Sequence, residues 1–268
     1  MSLTAQNEVF INPSSCYGNF HYIRHGLTAK SEQAVQGNYR ITVFDSHFDT
    51  KALQEMLYEG TQGIKKKAEE IVKGSRSKSK VSIGAHQYVI FWGAPAAQKK
   101  ELLKTNYLGR VLKNITEKDI LNYLESITSP NFKTLVEKLT SINFAGRLRI
   151  RIPTAQALIE IDEGASCSFY YPLYEFVHGT DLNDAEQLVT DFFKGELTFA
   201  EFEDTLFLVE QYLENEHGIK QTDRLNPNIF ISLQGNTLEL VLMDVESITL
   251  QGHPEMEQDA IEDRKTAQ

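Results

Sequence analysis

Cysteine is scarce in this chain. Its 268 residues hold two, Cys16 and Cys167, far apart in sequence. That argues against a disulfide framework and fits a reducing compartment. It also leaves no sequence signature of a zinc site. No apolar run reaches the ~20 residues that cross a membrane as a helix. Met1 to Asn7 is polar and lacks the apolar core of a signal peptide. The expectation is a cytoplasmic protein, or one delivered into a host cytosol by a route that needs no cleaved signal. Positive charge is short as well: 27 Lys and Arg against 37 Asp and Glu give a formal net charge of −10. This argues against non-specific binding to nucleic acid or to an anionic membrane surface. Repeats and low-complexity tracts are absent.

What remains is an ordinary globular composition, 41% apolar and 24% charged, enough for one large domain or a domain with a smaller appendage. The most informative stretch is Thr222-Asp223-Arg224-Leu225-Asn226-Pro227-Asn228, followed by two strand-like runs, Asn228 to Leu233 and Thr237 to Met243. Gln234-Gly235-Asn236 between them is turn chemistry, so the two runs predict a β-hairpin. Asp223 lies in the loop entering it, Asn228 at its mouth and Asp244 at its exit. A hairpin returns the chain to its starting point, so the three side chains are expected to meet. Two carboxylates and an amide oxygen suit a hard cation such as Mg²⁺. The plainer alternative is a surface hairpin whose Asp and Asn residues only make turns.

Asp223-x-x-x-x-Asn228, a hairpin and an apolar run ending in Asp244 resemble the catalytic and metal loops of the protein-kinase-like superfamily. The Asp-Arg-x-x-x-Asn form is similar to that of phosphatidylinositol 3-/4-kinases, and HipA-type bacterial kinases have a similar loop. The resemblance implies Asp223 as catalytic base, Arg224 as its brace or a phosphate contact, and Asn228 and Asp244 as metal ligands, with ATP and Mg²⁺ as cofactors.

Other stretches extend the likeness. Gly74 to Lys80 is a small, basic loop that suits phosphate, with Ser75, Lys78 and Lys80 as candidate contacts; a flexible linker would read the same way. The strand after it, Tyr88 to Trp92, has Phe91 or Trp92 where the family carries its phosphate-gripping lysine. Lys78 or Lys80 is then the candidate substitute. Glu101, early in a helix expected over Ala96 to Leu112, is a candidate partner for a displaced lysine, or an acidic residue favoured by the helix dipole. Glu175-Phe176-Val177-His178-Gly179-Thr180-Asp181 resembles a kinase hinge, with backbone groups near Glu175 and Val177 at the adenine edge. Thr180 or Asp181 also reads as a helix N-cap.

Helices are expected over Lys51 to Glu59, Ile64 to Val72, Thr116 to Glu125 behind a Thr-x-x-Asp cap, Phe132 to Leu139, Asn183 to Phe193 and Phe199 to Glu216. The last of these closes at Gly218. Strands are expected at Phe20 to Ile23, Tyr39 to Phe44 and Leu148 to Ile152, with a hairpin from Gln156 to Tyr171. Arg24-His25-Gly26 resembles the opening motif of histidine phosphatases, with His25 as nucleophile.

The expected fold is α+β: a two-lobed protein-kinase-like architecture, with an N-terminal extension over 1–70, a small β-rich lobe over 71–177 and a mainly helical lobe over 178–268. The expected activity is Mg²⁺- and ATP-dependent phosphate transfer to a protein or small-molecule hydroxyl, in an atypical kinase like those of bacterial effectors or toxins. Two alternatives stand beside it: a pseudokinase that binds without catalysis, and a phosphate-ester hydrolase built on His25.

Overall fold

The computed structural model describes residues 31–35, 39–45, 47–57, 61–70, 78–92, 95–162, 168–222, 228–243 and 245–252. The elements run β1 (Ser31–Val35), β2 (Tyr39–Val43), α1 (Thr50–Leu57), α2 (Thr61–Lys67), β3 (Ala68–Glu70), β4 (Lys78–Ile83), β5 (His86–Phe91) and α3 (Pro95–Asn114). Next come α4 (Glu117–Ser126), α5 (Pro130–Ser141), α6 (Phe144–Arg147), β6 (Leu148–Arg151), β7 (Ala155–Asp162) and β8 (Ser168–Glu175). The last group is β9 (Thr180–Asp181), α7 (Glu186–Phe192), α8 (Phe199–His217), β10 (Ile219–Gln221), β11 (Ile229–Gln234), β12 (Thr237–Leu242) and β13 (Ile248–Leu250). The fold is therefore mixed α and β. No helix of the described residues is long and apolar enough to cross a membrane.

The chain divides into two compact units. The first draws on Met1–Tyr107 and Pro153–Phe176, the second on Leu108–Ile152 and Val177–Met256. The first unit is a seven-stranded sheet in the order β1-β2-β7-β8-β5-β4-β3, antiparallel throughout. Side chains alternate between its faces. Ile41, Val43, Val81, Ile83, Tyr88, Ile90, Ala157, Ile159 and Leu173 point to one face and meet Phe48, Leu53, Met56, Leu57 and Ile64 there. Leu53 and Ile64 are fully or nearly fully buried, each adding about 2 kcal/mol by leaving water.

That packing departs from the expected partition at residue 70. β2 pairs with β7, and α1 and α2 form the lid of the same core, so the described residues before 70 belong with those after it. Neither helix could bury its apolar face alone. Residues 108–152 likewise group with 177–256 rather than with the strands around them. The helix expected over Ile64 to Val72 stops at Lys67, and Ala68–Glu70 is a strand on β4. Lys65, Lys66 and Lys67 suit a helix C-terminus. Pairing with β4 then overrides the helix propensity of Ala-Glu-Glu, and Glu69 meets Lys80 at 2.8 Å.

The second unit holds a four-stranded sheet, β6-β12-β11-β9, in which β6 runs parallel to β12 and the other pairs are antiparallel. β10 and β13 make a separate two-stranded ribbon. α4 begins as its sequence predicts: the Thr116 hydroxyl accepts from Asp119 N–H, and the Asp119 carboxylate accepts from Thr116 N–H. α8 buries Phe202, Leu206, Val209, Tyr212 and Leu213, and ends at Gly218 with φ 63°. The expected helix over Asn183 to Phe193 is shorter. Thr180 and Asp181 form β9 against β11, a single 3-10 turn covers Leu182–Asp184, and the α-helix begins at Glu186. Asp181 makes no side-chain cap bond; strand pairing has taken the place of capping.

α8 also opens on a capping box, Thr198 with Glu201, and Lys138 reaches the same carboxylate at 2.6 Å. These hydrogen bonds hold the Glu201 carboxyl down at about 2, the lysine contributing most. A carboxylate whose folded value lies below its unfolded one stabilises the fold above the unfolded value and ceases to do so as pH falls through the folded one. Stability should therefore drop between about pH 4.5 and pH 2. Glu201→Gln should flatten that part of a chemical-denaturation profile against pH, by under about 1 kcal/mol because the pair is partly solvated.

Candidate functional site

The predicted hairpin is present. β11 and β12 pair from Ile229↔Leu242 to Gln234↔Thr237, around a turn with Gly235 at φ 61°. Next to the Ile229–Leu242 pair, at the open end, Met243 N–H donates to the Asn228 carbonyl at 2.8 Å. β10 and β13 build a second tie: Thr222 N–H donates to the Ser247 carbonyl at 2.8 Å, and the Thr222 hydroxyl donates to the same oxygen at 2.5 Å. Two chain segments thus run between the same two ties, one from Thr222 to Asn228 and the other from Met243 to Ser247. Asp223 and Arg224 belong to the first segment and Asp244 to the second; all three lie outside the described residues. Of the four candidates on this loop pair, Asn228 is described, half-buried at the mouth of the hairpin. Among the described residues no group of three His, Cys, Asp or Glu could hold a metal.

The candidate nucleotide contacts in the first unit sort by sheet face. Lys78 and Lys80 project from β4 opposite Phe91 and Val89 of β5, and Val89 lies opposite Tyr174 of β8. Cross-strand partners share a face, and this face is the one turned away from Val81, Tyr88 and Ile90. Phe91 meets Tyr174 edge-on at 5.6 Å between ring centres. Lys80 is 2.8 Å from Glu69 and 5.5 Å from the centre of the Phe176 ring. Trp92 turns elsewhere: its indole N–H donates to Ser79 Oγ at 2.9 Å, and its ring tilts on Tyr171. Glu101 is half-buried on α3. Ser75 lies outside the described residues, as do Arg24, His25 and Gly26.

At the proposed hinge, Glu175 N–H donates to the Thr154 carbonyl at 3.0 Å, and the Glu175 carboxylate accepts from Thr154 N–H at 2.9 Å. Phe176 N–H donates to the Gln87 carbonyl at 3.2 Å. Val177 is 6% exposed. In the second unit, a Cβ on Gly179 would stand 2.5 Å from the Ile231 carbonyl oxygen. Only glycine fits where β11 passes so close.

Two polar clusters carry no sequence signal. Glu239, 3% exposed, takes Arg151 Nε at 2.7 Å and Arg149 Nη1 at 3.5 Å. On α8, Tyr212 Oη lies 3.0 Å from His217 Nε2. Burial, then the charges of Asp119 and Glu216, pushes that phenol up to about 12. Asp119 comes from α4, whose proximity no local pattern reveals, whereas Glu216 and His217 lie a turn further along α8 itself.

No protein-family model matches the chain, and no curated protein matches it. Among solved structures it is similar to WaaP in complex with acyl carrier protein, at 9% identity, over 82% of this chain and 78% of that one, with a TM-score of 0.36. So loose a likeness does not fix the fold, and function has to be argued from this chain's own residues.

Proposed function

We propose that the protein is an ATP- and Mg²⁺-dependent phosphotransferase acting on a hydroxyl of a protein or small molecule. The observation that carries this is the pair of backbone ties. Asn228 bonded to Met243 and Thr222 bonded to Ser247 tie the described ends of the two segments to which Asp223 and Asp244 belong in sequence. A second support is the element order of the first unit. β3, β4 and β5 form an antiparallel meander, α3 follows, and β8 leads into Phe176 and Val177. Residues 71–77, with Ser75, join β3 to β4, where a phosphate-covering loop belongs.

In this assignment Asn228 and Asp244 would hold Mg²⁺, which would offset phosphate charge. Asp223 accepts a hydrogen bond from the acceptor hydroxyl and orients it toward the γ-phosphorus. The new O–P bond forms as the bond to the β,γ-bridging oxygen breaks, ADP departs, and the hydroxyl proton passes late to Asp223. Arg224 braces that carboxylate or meets the transferred phosphate. In the first unit, Glu101 is a candidate partner for the lysine that grips the phosphates.

A nucleotide thermal-shift titration tests this. ATP at ~100 times its Kd adds about 2.7 kcal/mol to the folded state, which corresponds to a rise on the order of 5 °C. The rise should require Mg²⁺. No shift with either ATP or Mg-ATP would remove the reading. Phe91 or Trp92 in the lysine position favours one alternative, a pseudokinase that binds partners without catalysis. That protein would show no ATP consumption under conditions where Mg-ATP binding is saturated.

A further inference from the structure

β11–β12 and β10–β13 belong to separate sheets, so no shared register packs their side chains where they meet. Both line one cavity against α8. Ile229 and Leu242 reach it from the hairpin, Ile248 from the ribbon, and Glu210, Leu213 and Glu214 from the helix. All of these residues lie within the second unit. Gln221, the register partner of Ile248, completes the wall. Its side-chain Nε2 is buried and has no hydrogen-bond partner in the protein. An amide donor left in that state is costly, because it has given up water without a replacement. The cavity offers about 20 Å³ to the centre of a water molecule.

We propose that this cavity is the site of one structural water, which accepts a hydrogen bond from Gln221 Nε2 and donates to the carboxylates of Glu210 and Glu214. Size selects the occupant: a single water needs roughly 10–15 Å³ of such space, whereas a cavity that takes a benzene ring is about 150 Å³. Chemistry agrees with size, since cavities that stay dry are lined by apolar groups alone. Glu214 already receives Lys220 Nζ, but a carboxylate has about four acceptor positions. In sequence, Gln221 stands two residues before Asp223, Ile229 directly after Asn228, and Leu242 two residues before Asp244. The water thus joins β10 to α8 next to the strand ends that continue into all three candidate residues. The inference needs only the cavity and the amide, and stands whether or not the chain transfers phosphate.

Magnetisation transfer from water to protein, read by NMR on the full chain, tests this. The wild type should show transfer to the Gln221 side-chain amide and to a methyl group of Ile229 or Ile248. The laboratory-frame and rotating-frame effects should have opposite signs, the mark of water that stays in place. The methyl signals decide, because they exchange no protons with solvent, unlike the ammonium of Lys220 or the hydroxyl of Thr222. Gln221→Met keeps the length of the side chain and removes the donor, so the isoleucine signals should be lost while circular dichroism keeps its wild-type form. Gln221→Leu is read in the same way if the methionine variant does not fold. A wild type without transfer to either methyl would overturn the proposal. So would isoleucine transfer that persists undiminished in a folded Gln221→Met.

Discussion

Replacing Asp244 with alanine should abolish Mg²⁺-dependent ATP consumption, lowering it by at least ~10³-fold, or about 4 kcal/mol of transition-state stabilisation. Asp244 directly follows Met243, whose N–H is bonded to the Asn228 carbonyl. One peptide bond along the chain therefore separates it from the residue tied to Asn228 at the open end of the hairpin. A carboxylate is the stronger of the two proposed Mg²⁺ ligands, and alanine removes it outright. Asn228→Ala should cost less, ~10–100-fold, and should show mainly as a higher Mg²⁺ requirement, because a neutral oxygen is a weaker ligand that water can replace. Asp223→Ala should lower kcat with little change in the apparent affinity for ATP, as expected of a group that acts on the acceptor hydroxyl. The measurement is a coupled ADP-release assay with Mg²⁺ varied. Asp244→Ala retaining more than a tenth of wild-type turnover would sink the metal assignment. Phosphate-ester hydrolysis lost on His25→Ala and untouched by Asp244→Ala would favour the histidine-phosphatase alternative instead.

Glu239→Ala should be the most destabilising single change in the second unit, by about 3–5 kcal/mol. The carboxylate is 3% exposed and bonds Arg151, which is 17% exposed, at 2.7 Å. Truncating it takes this partner from a guanidinium largely removed from water. Arg149 makes the weaker contact, at 3.5 Å and with 62% of its side chain exposed, so Arg149→Ala should cost under about 1 kcal/mol. The paired replacement Glu239→Leu/Arg151→Met should cost much less than Glu239→Ala, because it removes both charges and keeps the volume. Urea denaturation monitored by circular dichroism distinguishes these cases. A Glu239→Ala loss below ~1 kcal/mol would show that solvent reaches the pair.

Local pattern made some of this legible and long-range pairing hid the rest. The β11–β12 hairpin, the Thr116 capping box and the apolar stripe of α8 depend on residues within a few positions of one another, and the sequence predicted all three. Ala68–Glu70 was obscure because its helix-forming residues become a strand only by lying on β4. The membership of β2 in the large sheet was obscure because its partner, β7, is more than a hundred positions away. Glu239 falls between Leu238 and Leu240 and reads by alternation as solvent-facing. β12 is buried on both faces, and Glu239 finds its partner in Arg151, 88 positions away. For the candidate site, the closing of the loop around Asn228 follows from the hairpin and was legible. The pairing of Lys80 with Glu69 of β3 was not, because the helix expected there concealed it.

The parallel pairing of β6 with β12 has a consequence for how the chain is made. Leu148 lines up with Leu238, ninety positions later, while β7 and β8, synthesised immediately after β6, belong to the other unit. On a ribosome the seven-stranded sheet has all its strands once Glu175 emerges, whereas β6 must wait, one edge unsatisfied, for a partner still being translated. Distant ladder contacts of this kind form slowly, and an unpaired strand edge invites association with other chains. Nascent polypeptides stalled between β8 and β12 should therefore be the species most prone to aggregate and most dependent on chaperones.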